Sequence, residues 1–365
     1  MKITFPYMGT SHIAFKHLFN HLGHEALVPP PPSKRTLTYG TQHAPEFACI
    51  PFKVLLGSYI EALEQGAELI ITSGGRGPCR AGIYGMLHER ILKSLGYKFE
   101  MMVFESIFRE PLGFFSKVRR VLKAGRVSWP RFIKVYKDAW VKLCALDETE
   151  ILSHEVRPYE LNRGETTKVF KQCLESIDRA QTREEIREAG SIARKLLKAV
   201  PQDRSRRPLR IGIIGEIYVV LEPFINLDVE KTLGEMGVHT QRSIYLTDWT
   251  RENTLVKDED AKAAARPYLD QLIGGHALNS VGETVLYAKN GYDGVIQLAP
   301  FTCIPEIVAK SLMPKISRDL GIPVLTVFLD EQTGKAGLQT RLEAFVDLLR
   351  QKRRWKEEGT GCTAI

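Results

Sequence analysis

Short apolar runs at residues 2–6, 25–28, 68–72 and 99–104 predict β-strands. Between them, residues 13–22, 52–65 and 83–95 carry apolar positions at the three- and four-residue spacing of amphipathic helices. Alternation of this kind predicts a parallel sheet with helices on both faces. From about residue 111 to residue 201 the strand pattern stops, and long charged amphipathic stretches such as 166–180 and 182–200 predict helices. An Arg-rich break bounded by Pro201 and Pro208 follows. Strand patterns then return at 210–214, 240–245, 294–298 and 323–328, with helices at 229–236, 306–320 and 337–352. The expected architecture is therefore α/β. An N-terminal α/β domain (1–110) and a C-terminal one (206–365) are joined by a helical segment (111–205). A local echo, Phe47-Ala48-Cys49-Ile50-Pro51 and Phe301-Thr302-Cys303-Ile304-Pro305, agrees with two similar halves.

Composition narrows the class without choosing a function. At 365 residues the chain exceeds the length at which one core stops growing. With 44% hydrophobic and 26% charged residues it is not a largely disordered chain. The longest apolar run, 211–224, is broken by Glu216 and Glu222 and falls short of the roughly 20 residues a membrane span needs. The N-terminus reads as a strand, not as a signal peptide, so a cytoplasmic protein without a membrane partner is expected. The net charge of +8 would suit nucleic acid, an anionic cofactor or an acidic partner. Much of the excess lies in 114–142 and 202–210, where a solvated helix face and a linker account for it.

Six cysteines in such a chain are expected to be thiols or metal ligands, because the cytosol keeps thiols reduced. Cys49, Cys79 and Cys303 each precede a predicted helix, and Cys79 and Cys303 also follow predicted strands. Helix starts favour thiolates through unpaired N–H groups and the positive end of the helix dipole. The crevice beyond parallel strand ends is also where ligands bind. Gly74, Gly75, Gly77 and Gly82 would let the backbone approach a bulky ligand closely. Arg76 and Arg80 flank Cys79, placed to lower its pKa or steady an anionic group. Glu216, Glu306 and the pair Asp330-Glu331 fall at predicted strand ends or helix starts, as proton donors or as helix caps. Cys144 and Cys173 lie inside predicted helices and Cys362 on a tail, so these three are expected to be structural. No two of Cys49, Cys79 and Cys303 form a C-x-x-C pair, so spacing alone leaves a metal site and plain burial both open.

The wording around these cysteines goes further. Residues 29–36 (PPPPSKRT), 44–51 (APEFACIP) and 74–82 (GGRGPCRAG) resemble the 2-hydroxyacyl-CoA dehydratase subunit family, in particular its activase-associated and double-cubane-cluster branch. Residues 215–218 (GEIY), 301–306 (FTCIPE) and 330–334 (DEQTG) extend the resemblance over most of the chain. The resemblance implies two flavodoxin- or Rossmann-like domains enclosing, in the crevice between them, a [4Fe-4S] or fused double-cubane cluster. Its ligands would be Cys49, Cys79 and Cys303, with Gly75, Arg76, Gly77 and Arg80 supporting it and Glu216, Glu306 and Glu331 as catalytic candidates.

It also implies an ATP-hydrolysing activator of the actin-like kinase fold, which delivers one low-potential electron under anaerobic conditions. The electron would serve acyl-CoA dehydration through a ketyl radical, or reduction of a small molecule, and a homodimer would be expected. Three thiolates leave one iron open, which suits a reactive site better than a relay with four cysteines. The chain lacks an evident second subunit or coenzyme A segment. Other readings are a structural zinc site using His12, His43 or His276, a nucleotide-binding protein, and a non-catalytic electron-transfer scaffold. The P-loop pattern is absent, and residues 211–216 do not complete G-x-G-x-x-G.

Overall fold

The computed structural model describes residues 1–74, 79–254 and 259–358. The chain divides into two compact units, one of Met1–Glu150, Lys168–Ala199 and Tyr245–Lys257, the other of Ile151–Thr167, Val200–Ile244 and Asp258–Ile365. Each is an α/β layer structure built on one four-stranded, all-parallel sheet.

In chain order the first unit begins with β1 (Lys2–Thr4), α1 (His12–His21), β2 (Glu25–Ala26), α2 (Lys34–His43), α3 (Ile50–Glu64), β3 (Leu69–Ser73), α4 (Tyr84–Ser94) and β4 (Glu100–Phe104). The helices α5 (Pro111–Gly125), α6 (Trp129–Val156), α7 (Glu165–Arg179) and α8 (Arg183–Ala199) follow, the end of α6 and the start of α7 belonging to the second unit. The strand order is β2-β1-β3-β4. Side chains alternate across a strand, so Ile3, Leu69 and Met102 meet Phe19 of α1, Leu22 just after it, and Val118, Val121 and Leu122 of α5. Ile70 points to the opposite face, into a second core of Phe52, Leu56, Tyr59 and Ile60 from α3 and Leu92 from α4. Ser33 starts α2 with a reciprocal capping box to Thr36. Helices α2 and α3 then cross with their backbones touching. A Cβ on Gly40 would lie 1.8 Å from the Lys53 carbonyl oxygen, and one on Gly57 1.9 Å from that of Thr36.

The second unit continues with β5 (Leu209–Gly215), α9 (Ile217–Leu221), α10 (Pro223–Asn226), α11 (Val229–Glu235) and β6 (Val238–Arg242). After α12 (Leu246–Thr254), which belongs to the first unit, come α13 (Glu259–Ala265), α14 (Ala277–Lys289), β7 (Gly294–Pro300), α15 (Ile304–Leu320), β8 (Val324–Leu329) and α16 (Lys335–Glu357). Its strand order is β6-β5-β7-β8. Every residue of β7 is buried, as a central parallel strand covered on both faces requires. Val295 and Ile214 pack on Val281, Val285, Ala309, Met313 and Ile316 of α14 and α15. On the other face Gly294 leaves room for Phe345 and Leu349 of α16.

Counted from its own first strand, each sheet has the order 2-1-3-4. Parallel strands point one way and their helices return the other way, so helix N-termini collect at the C-terminal edge of each sheet. One difference from the sequence expectation concerns β6, which spans Val238–Arg242 in place of 240–245. The buried Tyr245 and Leu246 lie beyond the strand, at the entry to α12. The Phe-x-Cys-Ile-Pro echo also occupies non-equivalent places. Cys49 precedes the helix between the second and third strands of its sheet, whereas Cys303 follows the third strand, as Cys79 does. Among the described residues no helix is long and apolar enough to cross a membrane.

Candidate functional site

Three of the predicted residues share one local design. Cys49 is the N-cap of α3, Cys303 the N-cap of α15, and Cys79 the N-cap of a 3-10 turn, Arg80–Ile83, that leads into α4. At each, the backbone is extended (ψ 157, 104 and 134° respectively) and no side-chain hydrogen bond caps the helix. Cysteine is a poor helix cap, unlike Ser, Thr, Asn or Asp, so capping does not explain its choice there. Pro51 and Pro305 sit in the first turns, where a missing N–H costs nothing. Cys49 and Cys303 are each 7% exposed, and Cys79 is half-buried.

In the first unit, the Cys49 and Cys79 loops are tied together. The Tyr84 hydroxyl meets the Cys49 Sγ, and Arg80 Nη1 donates to the Phe47 carbonyl at 2.9 Å. Phe52 lies edge-on to Tyr84, with ring centroids 4.9 Å apart, and packs on His88 at 4.1 Å. His88 Nε2 donates to the Phe52 carbonyl at 3.1 Å, which fixes the start of α3 from below. Phe47, Ile83 and Met86, on the same two segments, stand exposed. Gly75, Arg76 and Gly77, predicted to support a cofactor, lie outside the described residues, as do Pro78 and Cys362.

His88 gives the first unit a pH dependence. Burial holds its imidazole down to about 4, against 6.5 in an exposed chain. The folded state thus keeps it neutral while the unfolded state takes up a proton. Stability from this group is full above pH 6.5 and is lost as pH falls toward 4, by about 3 kcal/mol for one group. His88→Gln is expected to flatten that part of the urea midpoint between pH 7 and 4. An unchanged slope would show that His88 is already protonated in the fold. His17, also held down to about 4 by burial, leaves a residual slope of the same sign.

In the second unit, Gly215 ends β5 at φ +142°, where a Cβ would strike the Leu298 carbonyl at 2.0 Å. Thr302, at φ +67°, turns the chain from β7 into Cys303. A non-glycine residue in that region marks a constrained turn. Glu216 caps α9 by accepting from the Val219 N–H at 3.0 Å, so its capping role is real. Burial nevertheless raises its carboxyl to about 7.

Glu306 behaves differently. It is fully buried in the first turn of α15, and both carboxylate oxygens accept from the Ser280 hydroxyl at 3.1 Å, while Gln297 Nε2 donates at 2.8 Å. Gln297 is held in turn by the Thr326 hydroxyl at 3.0 Å. Burial raises Glu306 to about 7 against these bonds, and the neighbouring charge of Glu216 adds to the rise. Two carboxyls near neutrality therefore flank the Cys303 turn. Glu331 lies half-buried beyond β8, in a turn closed by Asp330, whose carboxylate accepts from the Gln332 N–H at 3.0 Å and the Thr333 hydroxyl at 2.8 Å.

Cys144 and Cys173 fit a structural role: burial raises both thiols, and Asp147 adds to the effect at Cys144. The cysteines among the described residues form no disulfide. His12 Nδ1 bonds the Gly9 carbonyl at 2.7 Å, and burial holds His276 down to about 4. Among the described residues no group of three His, Cys, Asp or Glu side chains is gathered as a metal centre. Tyr84, Ser280 and Gln297 were not anticipated from sequence. Gln297 alone left a signal, as the one polar residue inside the apolar run 294–300. No protein-family model and no curated protein matches this chain.

Proposed function

We propose that this chain is an iron–sulfur protein of the 2-hydroxyacyl-CoA dehydratase type, built on flavodoxin- or Rossmann-like domains, with Cys49, Cys79 and Cys303 as ligands of a [4Fe-4S] or fused double-cubane cluster. The observation that carries the reading is the placement of three thiols at N-cap positions where they cap nothing. First-turn N–H groups beside each thiol are suited to a thiolate and to the sulfides of a cluster. A bound cluster would supply one-electron reduction at low potential.

The chain's own residues have roles around that group. Arg80, held by the Phe47 carbonyl, keeps a positive charge beside Cys79. Tyr84 brings a hydroxyl to the Cys49 sulfur. Glu216 and Glu306 hold or release a proton near pH 7 beside the Cys303 turn. Phe47 and Ile83 in one unit, and Phe301, Ile304 and Ile307 in the other, are exposed apolar side chains within four positions of a candidate thiol in sequence. In this reading an ATP-hydrolysing activator of the actin-like kinase fold delivers the electron. The substrate is an acyl-CoA thioester or a small molecule. The working form is cytoplasmic, anaerobic and homodimeric.

The test is anaerobic reconstitution of the full chain with iron and sulfide, followed by visible spectroscopy. A broad absorbance that bleaches with titanium(III) citrate and persists with ascorbate is the expected result. A colourless protein, or one that returns with zinc alone, would overturn the reading, since Zn²⁺ has no visible transition and no redox step.

A further inference from the structure

The two basic stretches that close the linker and the chain's last helix, residues 202–210 and 350–356, lie some 150 positions apart in sequence yet line one cavity. Its volume is about 580 Å³, and Arg206, Arg207, Arg350, Arg353 and Arg354 face it against only Glu235 and Glu357. It opens where β5 and β6 begin and α16 ends, which is the N-terminal edge of the second sheet. Glu216 and Cys303 lie at the other edge. This cavity is therefore separate from the candidate cluster residues.

Three of the five arginines have structural duties. Arg350 donates to the Met236 carbonyl at 2.9 Å, and Arg206 to the Glu160 carbonyl at 3.1 Å. Arg353 binds Asp293 and the carbonyls of Arg207 and Pro208, at 2.9 and 3.2 Å. These bonds hold the cavity wall rigid. Arg207 and Arg354 are exposed, and among the described residues their guanidinium groups have no acceptor. Crowding of positive charge shows at Lys352, which burial first and Lys356 second push below its ordinary value. Leu209, Met236 and Pro208 supply an apolar floor.

We infer that this arginine-lined cavity binds the oligophosphate group of a small molecule. Two unengaged guanidinium forks over a rigid wall match tetrahedral oxyanions bidentately, as lysines would not. The volume is that of a nucleotide-sized ligand, since such pockets run to roughly 300–1,000 Å³.

Isothermal titration of the full chain at about 50 mM salt, with sodium tripolyphosphate, ATP and adenosine as separate probes, tests this. Tripolyphosphate is expected to bind, adenosine is not, and the double substitution Arg207→Gln/Arg354→Gln is expected to weaken binding roughly tenfold or more. Equal affinity for tripolyphosphate and ATP would assign recognition to phosphate alone. Tighter binding of ATP would add the nucleoside to the ligand. Arg131→Gln/Lys134→Gln, on the other basic stretch, controls for general charge and is expected to leave affinity within about twofold. Absence of tripolyphosphate binding, or equal weakening by both double variants, would overturn the inference. Both pairs are exposed, so folding is preserved.

Discussion

Gly57→Leu is expected to destabilise the first unit by about 3 kcal/mol, the upper end of overpacking costs. A Cβ at this position would lie 1.9 Å from the Thr36 carbonyl oxygen, where ordinary contacts are 3.4–4 Å. The obstacle is backbone on a facing helix, which cannot swing aside as a flexible side chain would. The two helices must part, and they open the core that holds Phe52, Leu56 and Tyr59. They also carry the loop that ends in Cys49, so the thiol moves with them. Gly40→Val, whose Cβ would lie 1.8 Å from the Lys53 carbonyl, should act alike. Gly334→Ala is the control: nothing lies within 4 Å, φ is −88°, and the change should fall within about 0.5 kcal/mol. Urea midpoints measure all three. A Gly57→Leu midpoint equal to that of Gly334→Ala would mean that the helices do not cross at contact.

Glu230→Leu is expected to cost the second unit about 3–5 kcal/mol, because it removes the carboxylate facing a buried guanidinium. Arg242 is 3% exposed, and its Nε lies 3.4 Å from Glu230 Oε2. On the other side, His154 Nδ1 is 3.2 Å from Glu230 Oε1. Burial first, then the charges of Arg242, Arg157 and His239, hold the His154 pKa well below its ordinary value, so this imidazole stays neutral. The Glu230 carboxylate thus lies between the Arg242 guanidinium and a neutral imidazole. The double variant Glu230→Leu/Arg242→Met should recover much of the loss, since an apolar pair of similar volume replaces a buried ion pair at little cost. If the double variant is no more stable than Glu230→Leu, the two side chains are not coupled in the fold.

The second unit carries pH terms of both signs: its buried His154 and His276 are held below the ordinary imidazole value, as His88 is, while two carboxyls act the other way. Glu216 and Glu306 are raised to about 7, so the fold holds protons there that an unfolded chain, with carboxyls near 4.5, releases. Their contribution is complete below pH 4.5 and is lost as pH rises through 7, opposite in sign to that of His88.

Much of the β framework was legible in the sequence because parallel strands buried on both faces are written as continuous apolar runs. Six helices were not, and two of them, α2 and α14, show why. Residues 34–43 are polar and carry Gly40 in mid-helix, and residues 277–289 carry Gly282. A helical glycine normally counts against a helix. Here each marks a close crossing: a Cβ on Gly282 would lie 1.9 Å from the Ala261 carbonyl, as at Gly40 and Gly57. The helices exist because a partner backbone rests on them, and a pattern read along one segment does not contain that partner.

The N-cap placement of the three cysteines was legible because Cys-Ile-Pro ahead of an apolar helical pattern, and a cysteine after a strand, are local signals. What surrounds them was not. The Tyr84 hydroxyl reaches Cys49 from 35 positions away, and Ser280 reaches Glu306 from 26, and nothing in either segment announces its partner. The sequence also offered helix capping for Glu216 and Glu306 alike. Only Glu216 caps a helix, while Glu306 turns inward to Gln297 and Ser280.

The proposed role of the three N-cap thiols is tested most directly by iron and acid-labile sulfide content. The full chain and the variants Cys49→Ala, Cys79→Ala, Cys303→Ala, Cys144→Ala and Cys173→Ala would be reconstituted anaerobically under one protocol. About four iron and four sulfide per cubane are expected in the unchanged chain and in Cys144→Ala and Cys173→Ala, with most of both lost from each of the other three. Iron retained in Cys303→Ala together with Cys49→Ala and Cys79→Ala, or none bound by the unchanged chain, would contradict that role.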